Sequence, residues 1–380
     1  MCGPGVGRRR VKKSGRIVVG VLITVFFLWL AVRNVDIAAV RDALRHASYR
    51  YPIPAAVFCS TGYVLRTLRW QRILAPTKRV AFPRLFPVLM VGFTANNLLP
   101  ARIGEFVRAF LLARRERVSP SFSLATIVLE RVCDGLMLIA LMAATLLLVP
   151  IPVNDPKIAL VESVAALIFG GATVVLILLL FIPRPILAVV RLCVRPLPAR
   201  VAARITGLID AFIVGLEALR SPLAIAKIAG LSVLIWACEA GTFGSALLAF
   251  PLGLERGEWV AATAFLLVFV NLGIMIPSAP GYIGTYQLFA TIALGAFAVP
   301  EAAGLVLSFV VHALQYSLVT TVGLFCIWRL GLSPRALGAM GGERWAEGGE
   351  RSDSRDTAGP PNAAREGATV RNVKAVRGGR

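Results

Sequence analysis

The sequence predicts an all-α polytopic membrane protein built from two inverted repeats, each carrying a broken or re-entrant helical hairpin. Three observations predict it. Hydrophobic residues fill 57% of the 380 positions and charged ones only 16%, whereas soluble domains are roughly a quarter charged. The apolar residues collect into segments near membrane-spanning length, set off by basic loops. Two of the interruptions repeat one short motif in opposite charge settings.

Composition narrows the function. The 41 Lys+Arg against 20 Asp+Glu leave a formal charge of +21. These cations flank apolar stretches instead of forming one basic domain with interleaved aromatics, so they point to anionic lipid on the inner leaflet and away from nucleic acid. Only two histidines are present, His46 and His312, too few for a histidine metal site or for most triad chemistry. The six cysteines lie far apart without CxxC spacing, which predicts no disulfide framework and no thiolate site. No metal or cofactor is expected.

The elements follow in chain order. Residues 1–15 form a basic cytoplasmic N-terminus with Arg8, Arg9, Arg10, Lys12 and Lys13. The apolar run 16–32 has no small-x-small cleavage site after it and reads as a retained first helix. Further apolar segments lie at about 52–70, 85–99, 101–113, 122–149, 158–182, 224–250, 259–276, 283–299 and 302–328. A span needs about 20 helical residues, so 122–149, 158–182, 224–250 and 302–328 are single crossings. The pairs 85–99 with 101–113 and 259–276 with 283–299 are short and interrupted by Pro and Gly, which predicts two hairpins that dip in and turn back. Residues 184–222 form a basic cytoplasmic linker whose helical periodicity predicts either an amphipathic helix on the inner leaflet or a plain linker helix. The Gly-, Ala- and Arg-rich stretch 331–380 predicts a disordered cytoplasmic tail.

Charge placement orients these pieces. Arg66, Arg69, Arg72, Lys78, Arg79 and Arg84 precede the first hairpin and Arg114, Arg115 and Arg117 follow it, so both its ends are internal. The poorly basic loops 150–157 and 251–258 fall outside, and Arg329 and Arg335 hold the C-terminus inside. The second hairpin must then enter and leave from outside. Independently of charge, Pro100-Ala-Arg-Ile103-Gly104-Glu105-Phe106 matches Pro280-Gly-Tyr-Ile283-Gly284-Thr285-Tyr286. Together these predict inverted repeats at about 52–149 and 224–328 within a membrane domain 16–330, an architecture used by transporters. Pro100, Gly104, Pro280, Gly281 and Gly284 are the expected hinges.

Ionisable residues inside membrane segments are costly and mark sites by default. The first repeat has Arg102, Glu105 and Arg108 at its hairpin and Glu130, Arg131 and Asp134 in its long helix. The two groups carry opposite net charge and are neutral if they meet. They read as an ion-pair network stapling hairpin to helix, as a site in which an arginine, Arg102 foremost, holds an anionic group beside a helix start, or as both through different members. The second hairpin offers neutral polar side chains, Tyr282, Thr285, Tyr286 and Gln287; the tyrosines either line a cavity wall or anchor at the interface. Glu239 is expected to pair with Arg66 or Arg69, with proton titration the alternative. His312 reads as packed or hydrogen-bonded. Arg66, Arg69 and Trp70, ending their segment, read as snorkelling anchors, a position also compatible with contact to lipid phosphates.

Asn96-Asn97-Leu98-Leu99-Pro100-Ala101-Arg102-Ile103-Gly104-Glu105 with Arg108, then Glu130-Arg131-x-x-Asp134, then Pro280-Gly281-x-x-Gly284-Thr285 resemble the lysylphosphatidylglycerol synthase transmembrane region, a flippase-like integral membrane family. The likeness covers about residues 15–330. It implies an inner-membrane domain with both termini cytoplasmic, of the kind that moves an aminoacylated phospholipid between leaflets in its best-known members. Those members add a soluble aminoacyl-transferring domain that is not expected here, so no synthase activity is expected either.

The leading expectation is a lipid translocator for an anionic or aminoacylated phospholipid or a lipid-linked headgroup. No GxxxxGK[ST] phosphate loop is present, so an ion, potential or lipid gradient would drive it. One alternative is a membrane enzyme on lipid-linked substrates, with Glu105, Glu130 and Asp134 as acid, base or Mg²⁺ ligands. Another is a non-transporting partner of a separately encoded lipid-modifying enzyme.

Overall fold

The computed structural model describes residues 37–48, 50–99, 103–148, 221–275 and 280–332, with Trp29, Leu167 and Thr206 as isolated positions. All belong to one compact unit, Met1–Gly341. The predicted first helix at 16–32, the span 158–182, nearly all of the linker 184–222 and of the tail 331–380, and the expected site residues Pro100 and Arg102 lie outside the described residues.

Among the described residues every regular element is helical. α1 is Ile37–His46, α2 Pro52–Leu74, α3 Phe82–Leu98, α4 Gly104–Glu116, α5 Pro120–Leu148, α6 Pro222–Leu247, α7 Arg256–Gly273, α8 Thr285–Gly295 and α9 Glu301–Arg329. Proline sits in the first positions of α2, α3 and α6, where its missing N–H costs no hydrogen bond. Glu255 and Glu258 close a capping box on α7. α6 and α9 are long and apolar enough to cross a bilayer. At 1.5 Å per residue they reach about 39 and 44 Å, beyond the roughly 30 Å hydrocarbon core.

Both predicted interruptions are present. α3 gives way at Leu99, whose backbone is extended, and α4 starts at Gly104. α7 stops at Gly273, a single 3-10 turn occupies Pro280–Tyr282, and α8 starts at Thr285. Gly281 (φ 74°) and Gly284 (φ 94°) hold left-handed backbone there, which is inexpensive only without a Cβ.

Gly104 serves a different purpose, since it lets α4 approach α3 closely. A Cβ on Gly104 would overlap the Gly92 carbonyl and lie 2.7 Å from the Asn96 backbone nitrogen. Backbone atoms cannot rotate away, so Gly104→Ala is expected to force α4 off α3 and cost about 1–3 kcal/mol by overpacking. A drop in the unfolding midpoint of the purified protein checks this; an unchanged midpoint would mean the two helices separate freely.

The packing has a recurring order. α2 packs along α6; α3 on α4 as α7 on α8; α4 on α5 as α8 on α9; and α3 on α9 as α7 on α5. Two apolar clusters result. One joins α2, α3 and α4 with the start of α5 (Phe122, Ile127) and the end of α9 (Val319, Ile327). The other joins α6, α7 and α8 with the start of α9 (Val306, Val311) and the later part of α5 (Leu138, Met142). Each long helix therefore crosses from its own cluster into the other. α1, which the sequence did not reveal, packs on α9 and the second cluster.

Candidate functional site

The polar residues of α5 and α9 lie where these helices leave one cluster for the other. Asp134 falls between Ile127 and Leu138, and His312 and Gln315 fall between Val311 and Val319. An apolar layer cannot close over such groups, and a cavity of about 160 Å³ opens there.

Its lining repeats. α2 contributes Tyr63 and Arg66, and α6 contributes Trp236 and Glu239 at the same spacing. α5 gives Arg131, Asp134, Gly135 and Leu138, and α9 gives His312, Gln315, Tyr316 and Val319, again at one spacing. Phe93, Asn96 and Asn97 near the end of α3 are matched by Asn271, Ile274 and Met275 near the end of α7. Tyr282 and Tyr286 complete the wall.

An unbroken polar chain links the two breaks through this cavity. Glu105, second residue of α4, lies 3.9 Å from Arg131, which meets Asp134 at 3.2 Å. Asp134 stands 3.9 Å from Arg66, and Arg66 Nη2 donates to Glu239 at 3.0 Å. Gln315 Nε2 donates to the other Glu239 oxygen at 3.1 Å, and the Tyr286 hydroxyl, on the second residue of α8, donates to Gln315 Oε1 at 3.0 Å. Glu239 thus has the partner expected from the sequence, Arg66.

Arg69, by contrast, is no snorkelling anchor. It and Trp70 are 0% exposed. Arg69 Nη1 contacts Asp134 at 2.8 Å and donates to Ser232 Oγ at 3.0 Å. The Trp70 indole donates to Thr126 Oγ1 and carries the Arg108 guanidinium over its face at 3.6 Å. The expectation failed because a basic residue near a helix end looks the same whether it faces lipid or an acid of a distant helix.

The predicted site residues divide. Arg131, Asp134, Tyr282 and Tyr286 line the cavity, and Tyr286, 4% exposed, is no interfacial anchor. Arg108, Glu130, Thr285 and Gln287 do not line it and are buried. Arg108 and Glu130 are paired at 2.6 Å between α4 and α5, the staple arrangement. Gln287 Oε1 accepts from the Gly284 amide, and its Nε2 donates to His312 Nδ1 at 3.1 Å, which leaves the ring proton on Nε2. Asn96 Oδ1 accepts from the Gly104 amide in the corresponding place, so each broken helix starts on an amide-capped glycine. The sequence had not singled out Tyr63, Trp236, Gln315 or Tyr316; their spacing of three from another lining residue was the available signal.

Four guanidinium groups (Arg66, Arg69, Arg108, Arg131) and four carboxylates (Glu105, Glu130, Asp134, Glu239) compensate one another in this region. Among the described residues no group of three or more His, Cys, Asp or Glu could hold a metal ion.

Two helices of spanning length, a charge-compensated polar chain within the bundle and two broken helices beside one cavity fit a helical membrane protein with an internal polar site. The chain belongs to the lysylphosphatidylglycerol synthase TM region family, whose profile matches residues 17–323. It is 28% identical over 342 residues to "Glycosyltransferase AglD" of Haloferax volcanii, covering 83% of this chain and 54% of that protein. It is 33% identical over 140 residues to a "UPF0104 membrane protein" of Methanothermobacter thermautotrophicus, covering 36% of this chain and 41% of that one. The chain thus spans about half the length, or less, of the curated relatives it matches.

Proposed function

We propose that the protein moves a polar-headed lipid between membrane leaflets, with the headgroup passing through the cavity between two inverted repeats. The observation that carries this is the paired lining: 131, 134, 135 and 138 on α5 recur as 312, 315, 316 and 319 on α9. A cavity made of matched positions from two halves has no reason to favour one half, and oppositely oriented halves would open it to each leaflet in turn. Irregular backbone at membrane depth is tolerated where it lines such a cavity, and both breaks end at this one. Arg131, Asp134, Tyr282 and Tyr286 line the path of the headgroup in this reading, and Gly104, Gly281 and Gly284 are the hinges.

A second reading is a membrane enzyme acting on a lipid-linked substrate. The name of the Haloferax relative favours it, while the guanidinium held by each carboxylate disfavours Glu105, Glu130 and Asp134 as metal ligands or bases.

Reconstituted vesicles separate the two. With NBD-labelled phosphatidylglycerol and NBD-labelled glucosylceramide on both leaflets, the protein should make the dithionite-protected fraction accessible faster than in protein-free vesicles, with lipid mass unchanged. Altered mass would favour the enzyme. No movement of either lipid would overturn translocation. For the inverted arrangement, cysteines placed at 251–258 should be labelled from outside in intact cells and those at 114–117 only after permeabilisation.

A further inference from the structure

Every charged group on the cavity wall is already committed to another charged group of the protein. Arg66 is shared between Glu239 and Asp134, and Arg131 lies against Asp134. Asp134 also takes Arg69, and Gln315 occupies the second oxygen of Glu239. An anionic headgroup would have to pull an arginine from its acid, and a cationic one would have to do the reverse. Either leaves a buried charge uncompensated.

Beyond these ion pairs Arg131 Nε and the Asp134 oxygens lack a hydrogen-bond partner, and the rest of the unspent hydrogen-bonding capacity on the wall is neutral. Trp236 lines the cavity at 4% exposure, and its indole N–H has no acceptor. A buried donor without a partner calls for an explanation, and a ligand oxygen supplies one. The hydroxyls of Tyr63 and Tyr316 form no hydrogen bond with the described residues. Asn97 and Asn271 each spend one side-chain N–H, on Thr320 Oγ1 and the Leu267 carbonyl, leaving each amide oxygen to accept. Aromatic rings frame these groups. Tyr63 meets Phe93 edge-on at 5.1 Å, and Tyr286 stacks on His312 at 4.3 Å with Tyr316 edge-on beyond.

From this inventory we infer that the cavity recognises a neutral, hydroxyl-rich ring: the uncharged sugar headgroup of a lipid. A pyranose presents hydroxyls that both donate and accept, matching indole, phenol and amide groups together. Its C–H faces lie against aromatic rings as a phosphate would not. The cavity, about 160 Å³, is smaller than the roughly 300–1,000 Å³ of sites that enclose a drug-sized ligand, which suits one headgroup ring with its acyl chains left in the bilayer. The inference rests on the translocation reading for the lipid origin of the sugar, and on the lining alone for its chemistry.

Saturation-transfer NMR tests it with the full chain in a polyoxyethylene detergent. The probes are methyl β-glucoside, octyl β-glucoside and glycerol 1-phosphate. The glucosides should receive saturation on ring protons, with affinity unchanged between about 0.1 and 1 M salt, where the Debye length falls from about 10 to 3 Å. Trp236→Phe should weaken glucoside binding about five- to tenfold through the lost N–H donor. Trp259→Phe, which removes a second buried, unpartnered indole N–H away from the cavity, should not. Should Trp236→Phe fail to fold, Tyr63→Phe and Tyr316→Phe carry the same expectation. Tighter binding of the octyl than the methyl glucoside supports a lipid-linked headgroup; equal affinity would assign a free sugar and overturn that part. Salt-sensitive binding of glycerol phosphate without glucoside binding, or binding of neither, overturns the proposal. Translocation of NBD-phosphatidylglycerol without glucoside binding would sink the sugar while leaving transport standing, and glucoside binding without leaflet exchange would do the opposite.

Discussion

Asp134→Ala is expected to cost about 3–5 kcal/mol of stability, the range for removing one partner of a buried ion pair. The carboxylate is the common counter-ion of three arginines from two helices: Arg69 at 2.8 Å, Arg131 at 3.2 Å and Arg66 at 3.9 Å. Arg69 decides the size of the effect. It is 0% exposed, and its Nε and Nη2 already lack hydrogen-bond acceptors, so neither water nor a neighbour can take over. Arg66 keeps Glu239, and Arg131 keeps Glu105 at 3.9 Å. Denaturant unfolding of the purified protein in fixed micelles measures the loss. Adding Arg69→Met should recover much of it, because the uncompensated buried charge is then gone. A loss below about 1 kcal/mol, the size of an exposed pair, would mean that water reaches Arg69 and that the chain of contacts across the cavity is open to solvent. The same variant leaves excess cations on the cavity wall, so binding of glycerol phosphate should appear in it and weaken with salt.

How much of this was legible beforehand follows from the range of each interaction. Helix positions were readable because hydropathy and the Pro/Gly punctuation are local; α2 through α9 lie close to the predicted segments, and both breaks fall at the Pro-x-x-Ile-Gly motifs. α1 was missed because Arg41, Asp42 and Arg45 interrupt any apolar run, and the helix is held by packing on α9. The electrostatic partners were harder. Glu105 and Arg131, or Arg108 and Glu130, lie within 26 positions of each other and could be guessed as groups of opposite charge. Arg66 and Glu239 are 173 positions apart, and only the packing of α2 along α6 brings them together. Arg69 and Trp70 were misread for the same reason. The cavity lining escaped because Tyr63, Trp236, Gln315 and Tyr316 look like ordinary membrane-helix residues until their spacing is compared between helices that the sequence does not pair.

Arg108→Met and Glu130→Leu, made singly and together, are expected to show strong non-additivity. The pair joins α4 to α5 at 2.6 Å, with Glu130 1% exposed and Arg108 3% exposed. Arg108→Met strands a carboxylate in an apolar surround, and Glu130→Leu strands a guanidinium whose Nε is already without an acceptor. Each single change should therefore cost about 3–5 kcal/mol. The double variant removes both charges, leaves side chains of comparable volume against Trp70, and should fall within about 1–2 kcal/mol of the starting protein, since a well-packed apolar replacement of a buried pair is often neutral. What it gives up is the guanidinium over the indole face at 3.6 Å, worth about 0.5–2 kcal/mol. Denaturant unfolding of all four proteins closes the cycle. A double variant as unstable as the sum of the singles would mean that each residue acts through a separate partner, so that α4 is held to α5 by something other than this pair.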